Sequence, residues 1–208
     1  MAVPAALLPG TAEPVPSLAD APPPPPSRPR VVIVGAALAS VAAGMALLSM
    51  LAIYLARRAD VVNNGEPWIP DGAVLPLPQP TMILFTMILS SVTLLWASYA
   101  LRNDDRGNAY LALGLTFVLG FAAANQATYL FGNLGLGVRT ETGLLVLVIS
   151  ASWLVWLVAA MVFLALMAFR AFSGQYRRIP DGIDAAAVLW ISNTVMWSVL
   201  WIAIYISK

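Results

Sequence analysis

The chain has 208 residues, 60% of them hydrophobic and only 10% charged, with a mean hydropathy of +0.82 and a formal net charge of +1, whereas ordinary globular domains carry about 25% charged residues. This is the composition of an integral membrane protein, and its scattered basic residues provide no long-range field to draw nucleic acid or an acidic substrate. Cys and His are both absent, which removes disulfides, the usual zinc sites, thiolate nucleophiles, imidazole acid–base chemistry and haem ligation by His or Cys.

Residues 1–30 hold 10 of the 16 prolines, including the run Pro22 to Pro26. Such a segment favours extended polyproline conformations with nothing to pack, so it is expected to be a disordered, solvated tail. It does not resemble a signal peptide, because MAVPAALLPG lacks a basic start and Pro4 and Pro9 cut its short apolar run.

Five long apolar stretches follow, at about 31–56, 82–101, 109–131, 143–169 and 185–206. Each reaches the ~20 residues needed to cross hydrocarbon. None contains Asp, Glu, Lys or Arg. The separators ARRADVVNNGEPWIPDG, RNDDRGN, GNLGLGVRTET and RAFSGQYRRIPDG combine Gly, Pro, Asn and charge, as turns do. The expected fold is therefore all-α, a polytopic bundle of five spanning helices occupying 31–208. With the N-terminus cytoplasmic, the inner side holds Arg28, Arg30, Arg102, Arg106, Arg170, Arg177 and Arg178, and the outer side Arg57, Arg58, Arg139 and Lys208. The basic excess predicts the N-terminus inside, in a cell (inner or plasma) membrane. Trp68 and the prolines from Pro67 to Pro80 then face outside, near the headgroups, where Trp is enriched.

Within the first helix, small residues recur every four positions, Gly35/Ala39/Ala43 on one line and Ala36/Ser40/Gly44 on the next. Such strips let another backbone approach closely and mark a helix interface. Asn125, Gln126 and Thr128 form the polar cluster of the third helix, and Asn193 and Thr194 that of the fifth. With no ionisable residue at membrane depth, hydrogen bonding between helices is the better reading of these clusters than a transport path. In the fifth helix, Trp190, Trp197, Trp201 and Tyr205 follow steps of seven, four and four, along one face.

The order of these features resembles subunit III of haem-copper (cytochrome c) oxidases, in the divergent five-helix bacterial form that lacks two N-terminal helices. The resemblance covers about Val34 to Lys208. AIYLARRADVVNNGEPWIPDG matches through Tyr54, Trp68 and Pro70, and VLPLPQPTMILFTMILSSVTLLWASYAL through Ser90, Ser91 and Thr93. LGLTFVLGFAAANQATY matches through Gly120, Gln126 and Tyr129, and LWISNTVMWSVLWIAIY through Trp190, Trp197 and Tyr205. The departures concern ionisable groups. The family's membrane-embedded Glu aligns with about Ala43, its His-Gly-x-His with about Ser152 to Val155, and its Trp-His…Asp with Ile191 and Thr194.

In that family, this subunit holds no haem or copper. It packs beside the catalytic subunit, encloses lipid in a cleft next to its first two helices, and supports proton uptake and long-term stability. The resemblance thus implies a non-catalytic accessory subunit in aerobic electron transport, with no catalytic, cofactor-binding or metal-ligating residue in this chain. It also implies haem and copper in partner subunits, subunit I among them, and phospholipid as a candidate ligand. Loss of the Glu and His positions leaves a proton-uptake role and headgroup contacts unsupported. A subunit III homologue of a nitric oxide reductase or other alternative haem-copper enzyme is the near rival. A small transporter is the rival of another class, but five spans do not divide into repeats and none carries charge. An intramembrane enzyme would lack an acid, base or metal site.

Overall fold

A computed structural model of the chain describes residues 30–69, 75–136, 140–172 and 181–207; the Pro-rich tail, Pro70 and Arg177, Arg178, Arg139 and Lys208 lie outside these. Five helices run through it: α1 (Val31–Asn63), α2 (Pro78–Arg102), α3 (Arg106–Gly132), α4 (Glu141–Phe172) and α5 (Asp181–Leu200), the last continuing as a π-helical turn over Trp201–Ile206. No strand occurs among the described residues. All five are long and apolar enough to cross a membrane.

The helices outrun the apolar stretches that seed them. At 33 residues α1 is about 50 Å long, well beyond the ~30 Å hydrocarbon layer. The helical ladder has no reason to stop where apolarity does, and it carries on through Arg57, Arg58 and Asp60 to Asn63. There Arg57 meets Glu141 of α4 at 3.3 Å, both well exposed, a pair of little energetic weight. α5 likewise starts four residues early, at Asp181.

α2 and α3 form a tight hairpin. Its connection is Asn103, Asp104 and Asp105: Asn103 Nδ2 caps Tyr99 O at 3.0 Å, Asp104 takes the left-handed conformation (φ 57°) that Asp tolerates, and Asp105 begins α3. The Asp105 carboxylate accepts from Asn108 Nδ2 at 2.6 Å and from Asn108 N at 3.2 Å, satisfying one of the amides exposed at a helix start. α5 is the central helix, packed against α1, α2 and α4, while α3 rests on α2 and α4. α1 lies at the flank, with five of its 33 residues buried.

The two ends differ chemically. At one end, Trp68 folds back onto α1 and donates its indole N–H to Tyr54 Oη at 3.1 Å, with the rings edge-on at 5.4 Å. Thr142 of α4 donates to the Trp68 carbonyl at 2.7 Å. The connection is thereby pinned across α1 and α4. At the other end, Asp184 of α5 accepts from Ser98 of α2 and from Arg102 Nη2, the latter at 2.6 Å. Arg102 is largely exposed, whereas Ser98 is buried.

This asymmetry sets the cost of disrupting the Asp184 cluster. Asp184→Ala strands a buried hydroxyl and is expected to destabilise by about 1–3 kcal/mol; Arg102→Ala removes an exposed partner and should cost below about 1 kcal/mol. Thermal unfolding of the two variants checks the order. Asp105, whose carboxyl is held below the usual value by the Asn108 side chain and then the Asn108 backbone N–H, gives a pH signature. Its folded value is depressed, so its support for α3 is complete above the unfolded value of about 3.9 and disappears as pH falls through the folded value. Protection of the Asn108 amide against hydrogen exchange, taken relative to the intrinsic rate at each pH, should fall in that acid window in the wild type, and be low without that pH dependence in Asp105→Ala.

Candidate functional site

The interior between α2, α3, α4 and α5 is where most of the sequence-matched residues meet; Tyr54 and Trp68 pair at the α1 end, and Tyr129 is exposed. Trp190 donates its indole N–H to Ser90 Oγ at 2.9 Å. Its ring lies over Gly120 of α3: a Cβ there would come within 2.7 Å of Trp190 Cη2 and 3.5 Å of Met161 Cε. Thus Ser90, Gly120 and Trp190, on three helices, form one contact, and glycine is required by the ring rather than by backbone conformation. One turn away, Thr93 Oγ1 and Thr116 Oγ1 are 2.8 Å apart, joining α2 to α3. Ser91 Oγ and Thr194 Oγ1, 2.9 Å apart, join α2 to α5.

Towards the Trp68 end, Trp197 donates to Pro80 O at 3.1 Å. Its ring packs against Trp153 of α4 at a 40° tilt with centroids 4.2 Å apart, and Trp153 donates to Asn193 O at 3.1 Å. Trp201 is only partly buried and donates to Thr81 Oγ1 at 3.1 Å. In a regular helix Tyr205, eight residues beyond Trp197, would be displaced by about 80° around the axis. The π turn winds less per residue and brings Tyr205 back inward, 1% exposed and with its ring 6.5 Å from that of Trp197.

The two small-residue lines of α1 face different neighbours. Ser40 accepts from Ser192 of α5 at 3.0 Å, and a Cβ at Gly44 would meet Met196 of α5 at 3.4 Å. Ala39 and Ala43 instead line a groove against α4. Gly35 is exposed, with open space where a Cβ would stand.

The polar cluster of α3 separates on folding. Gln126 turns towards Thr86 of α2, at 3.5 Å. Asn125, Thr128 and Tyr129 are exposed, and Thr128 bonds only to Asn125 O of its own helix. The pair in α5 also separates: Thr194 is bonded to α2, whereas the Asn193 amide is fully buried with no protein partner for either Oδ1 or Nδ2. Sequence reasoning did not single out Trp153, Ser98 or Asp184. Trp153 carries no spacing signal, and Asp184 lies just outside the apolar stretch.

No group of three His, Cys, Asp or Glu side chains that could hold a metal occurs among the described residues. Ala43, Ser152 and Val155, the positions where the resemblance places an embedded Glu and a His pair, all line one α1–α4 groove of about 410 Å³. Ile191 lines a second apolar groove, between α1 and α5, of about 530 Å³. The arrangement offers hydrophobic clefts and a hydrogen-bonded neutral interior.

Two substitutions separate fit from polarity here. Gly120→Ala drives a methyl into the Trp190 ring and should destabilise by about 1–3 kcal/mol. Asn193→Leu removes a buried amide that has no protein partner, so thermal stability should hold or rise. A fall in melting temperature for Asn193→Leu comparable to that of Gly120→Ala would contradict this reading of the α5 interior.

Comparisons with known proteins identify the family. Residues 32–208 match the profile of a family described as Cytochrome c oxidase subunit III. Among curated proteins, the chain is similar to cytochrome c oxidase subunit 3 of Struthio camelus, 28% identical over 168 residues, covering 74% of this chain and 60% of the relative. It is also similar to that of Papio hamadryas, 27% identical with the same coverage. The chain therefore spans about 60% of the length of these relatives. With the profile covering nearly everything after the Pro-rich segment, the chain belongs to the cytochrome c oxidase subunit III family.

Proposed function

We propose that this chain is a non-catalytic structural subunit of a cytochrome c oxidase-type membrane complex in aerobic electron transport, seated beside the haem- and copper-bearing catalytic subunit I. The observation that carries this reading is the family match across residues 32–208. The chemistry of the chain supports it. With no His or Cys anywhere in the sequence, the usual protein ligands of haem iron and copper are missing, so this chain does not fit those groups, and they belong to partner chains. The spans hold no Glu or His at the grooves, which leaves packing and cover as the contribution of the bundle.

The work of such a subunit is mechanical. A neutral, internally bonded bundle presents apolar side chains outward along every helix, as Leu38 on α1, Phe85 on α2, Val118 on α3, Val155 on α4 and Val195 on α5 do. That surface can cover the flank of another membrane protein without placing a charge in hydrocarbon. The excess of arginine at the α2–α3 and α4–α5 connections supports a placement of those on the cytoplasmic side of an inner or plasma membrane, with the N-terminus inside.

Affinity purification of the tagged chain from native membranes in mild detergent, with mass spectrometry and a reduced-minus-oxidised spectrum, tests this. A co-purifying large subunit with haem absorption is expected. Recovery of the chain without any haem-containing partner would defeat the proposal.

A further inference from the structure

The outward face of α3 differs from those of its neighbours. Leu111, Gly114, Val118, Phe121, Asn125 and Thr128 follow steps of three and four, and all six are exposed. Comparable outward positions, such as Val41 and Met45 on α1, Phe85 and Val92 on α2, or Val155 and Val162 on α4, are apolar, as a surface against lipid tails requires. Asn125 is not. It stands six residues before Phe131, about 9 Å inside the apolar stretch of α3, and its amide has no partner among the described residues.

The exposed hydroxyls of Ser49 and Thr128 are satisfied within their own helices: Ser49 Oγ donates to Met45 O and Thr128 Oγ1 to Asn125 O, each at 2.8 Å. The Asn125 amide has two N–H donors and a carbonyl that lipid tails cannot pair, and leaving such a group unpaired in hydrocarbon costs several kcal/mol. On the same stripe, nothing lies within 4 Å of where a Cβ on Gly114 would be. A foreign backbone can therefore come close at that point. A heptad-spaced stripe that is apolar at Leu111, Val118 and Phe121 and carries an Asn also fits the way paired helices fix their register.

We propose that this α3 face is an inter-subunit seam, covered by a transmembrane helix of a different subunit that hydrogen-bonds the Asn125 amide and crosses closest at Gly114. The proposal rests on the reading of the chain as a subunit of a larger complex and names the face by which it docks. The helix that fits would present Ser, Thr, Asn, Gln or an accessible carbonyl at the depth of Asn125, and a large apolar side chain opposite Gly114.

The absence of cysteine makes the test direct. Phe121→Cys and, as a control on another outward face, Val41→Cys are labelled with a photoreactive maleimide in native membranes and irradiated before purification. An adduct with another kind of subunit from Phe121→Cys, and none from Val41→Cys, is expected. Co-purification of the complex without a Phe121→Cys adduct to a different subunit overturns the seam and leaves the subunit reading standing, and an adduct only with a second copy of this chain overturns it equally. A chain that purifies alone sinks both. In parallel, Asn125→Leu should lower retention in the detergent-washed complex about threefold, the fold-change expected from one average interhelical hydrogen bond, while Asn125→Gln stays near wild type. Because the Asn125 side chain is exposed and hydrogen-bonds no other described residue, its loss should not change the amount of chain in the membrane. Equal retention of Asn125→Leu and wild type would overturn the proposal.

Discussion

Hydrocarbon provides no hydrogen-bond partners, so each polar group carried into it must find one within the protein. This constraint organises the bundle. Hydroxyl and indole groups reach across from helix to helix, and most of these links end on α5. It holds α1 through Ser192 and Ser40, α2 through Trp190, Thr194 and Trp197, and α4 through the Trp153 indole on Asn193 O. The outlying α3 is tied to α2 by Thr93 and Thr116 and wedged by the Trp190 ring over Gly120. Indoles suit this task because one N–H on a broad apolar body buries much area while leaving a single polar group to satisfy.

Charge is confined to the ends. Arg57 with Glu141 and Arg102 with Asp184 bracket the membrane-depth region. Of the positions where the resemblance expects ionisable groups, Ala43, Ser152 and Val155 border one groove, whereas Ile191 lines another and Thr194 bonds to α2. A cleft without a charge is cheap to keep in a membrane.

Two amides within the spans have opposite surroundings. Asn193 is enclosed among the helices with no side-chain partner, and Asn125 is displayed on the outside of α3. The first is a cost borne within the bundle. The second is a cost that a neighbouring helix can remove. Their locations give them opposite meanings, although in sequence each belonged to a similar short polar cluster.

The sequence alone determined the five spans, the all-helical class and the family, because hydrocarbon demands about twenty consecutive apolar residues, and that demand is written along one dimension. It also determined the neutral interior, since the absence of charge from a stretch is legible without knowing its neighbours. What it could not supply was the pairing. Helices apolar on all sides show no preferred face, so nothing in the spacing of Asn125, Gln126, Asn193 and Thr194 told which would turn inward. Ser90, Gly120 and Trp190 could be matched by position, but only the tertiary structure made them one contact. The inward return of Tyr205 depends on a π turn that spacing does not encode, and the Ser98–Asp184–Arg102 cluster depends on α5 starting beyond its apolar stretch. Length and polarity are properties of a segment, whereas phase and partner are properties of the packed whole.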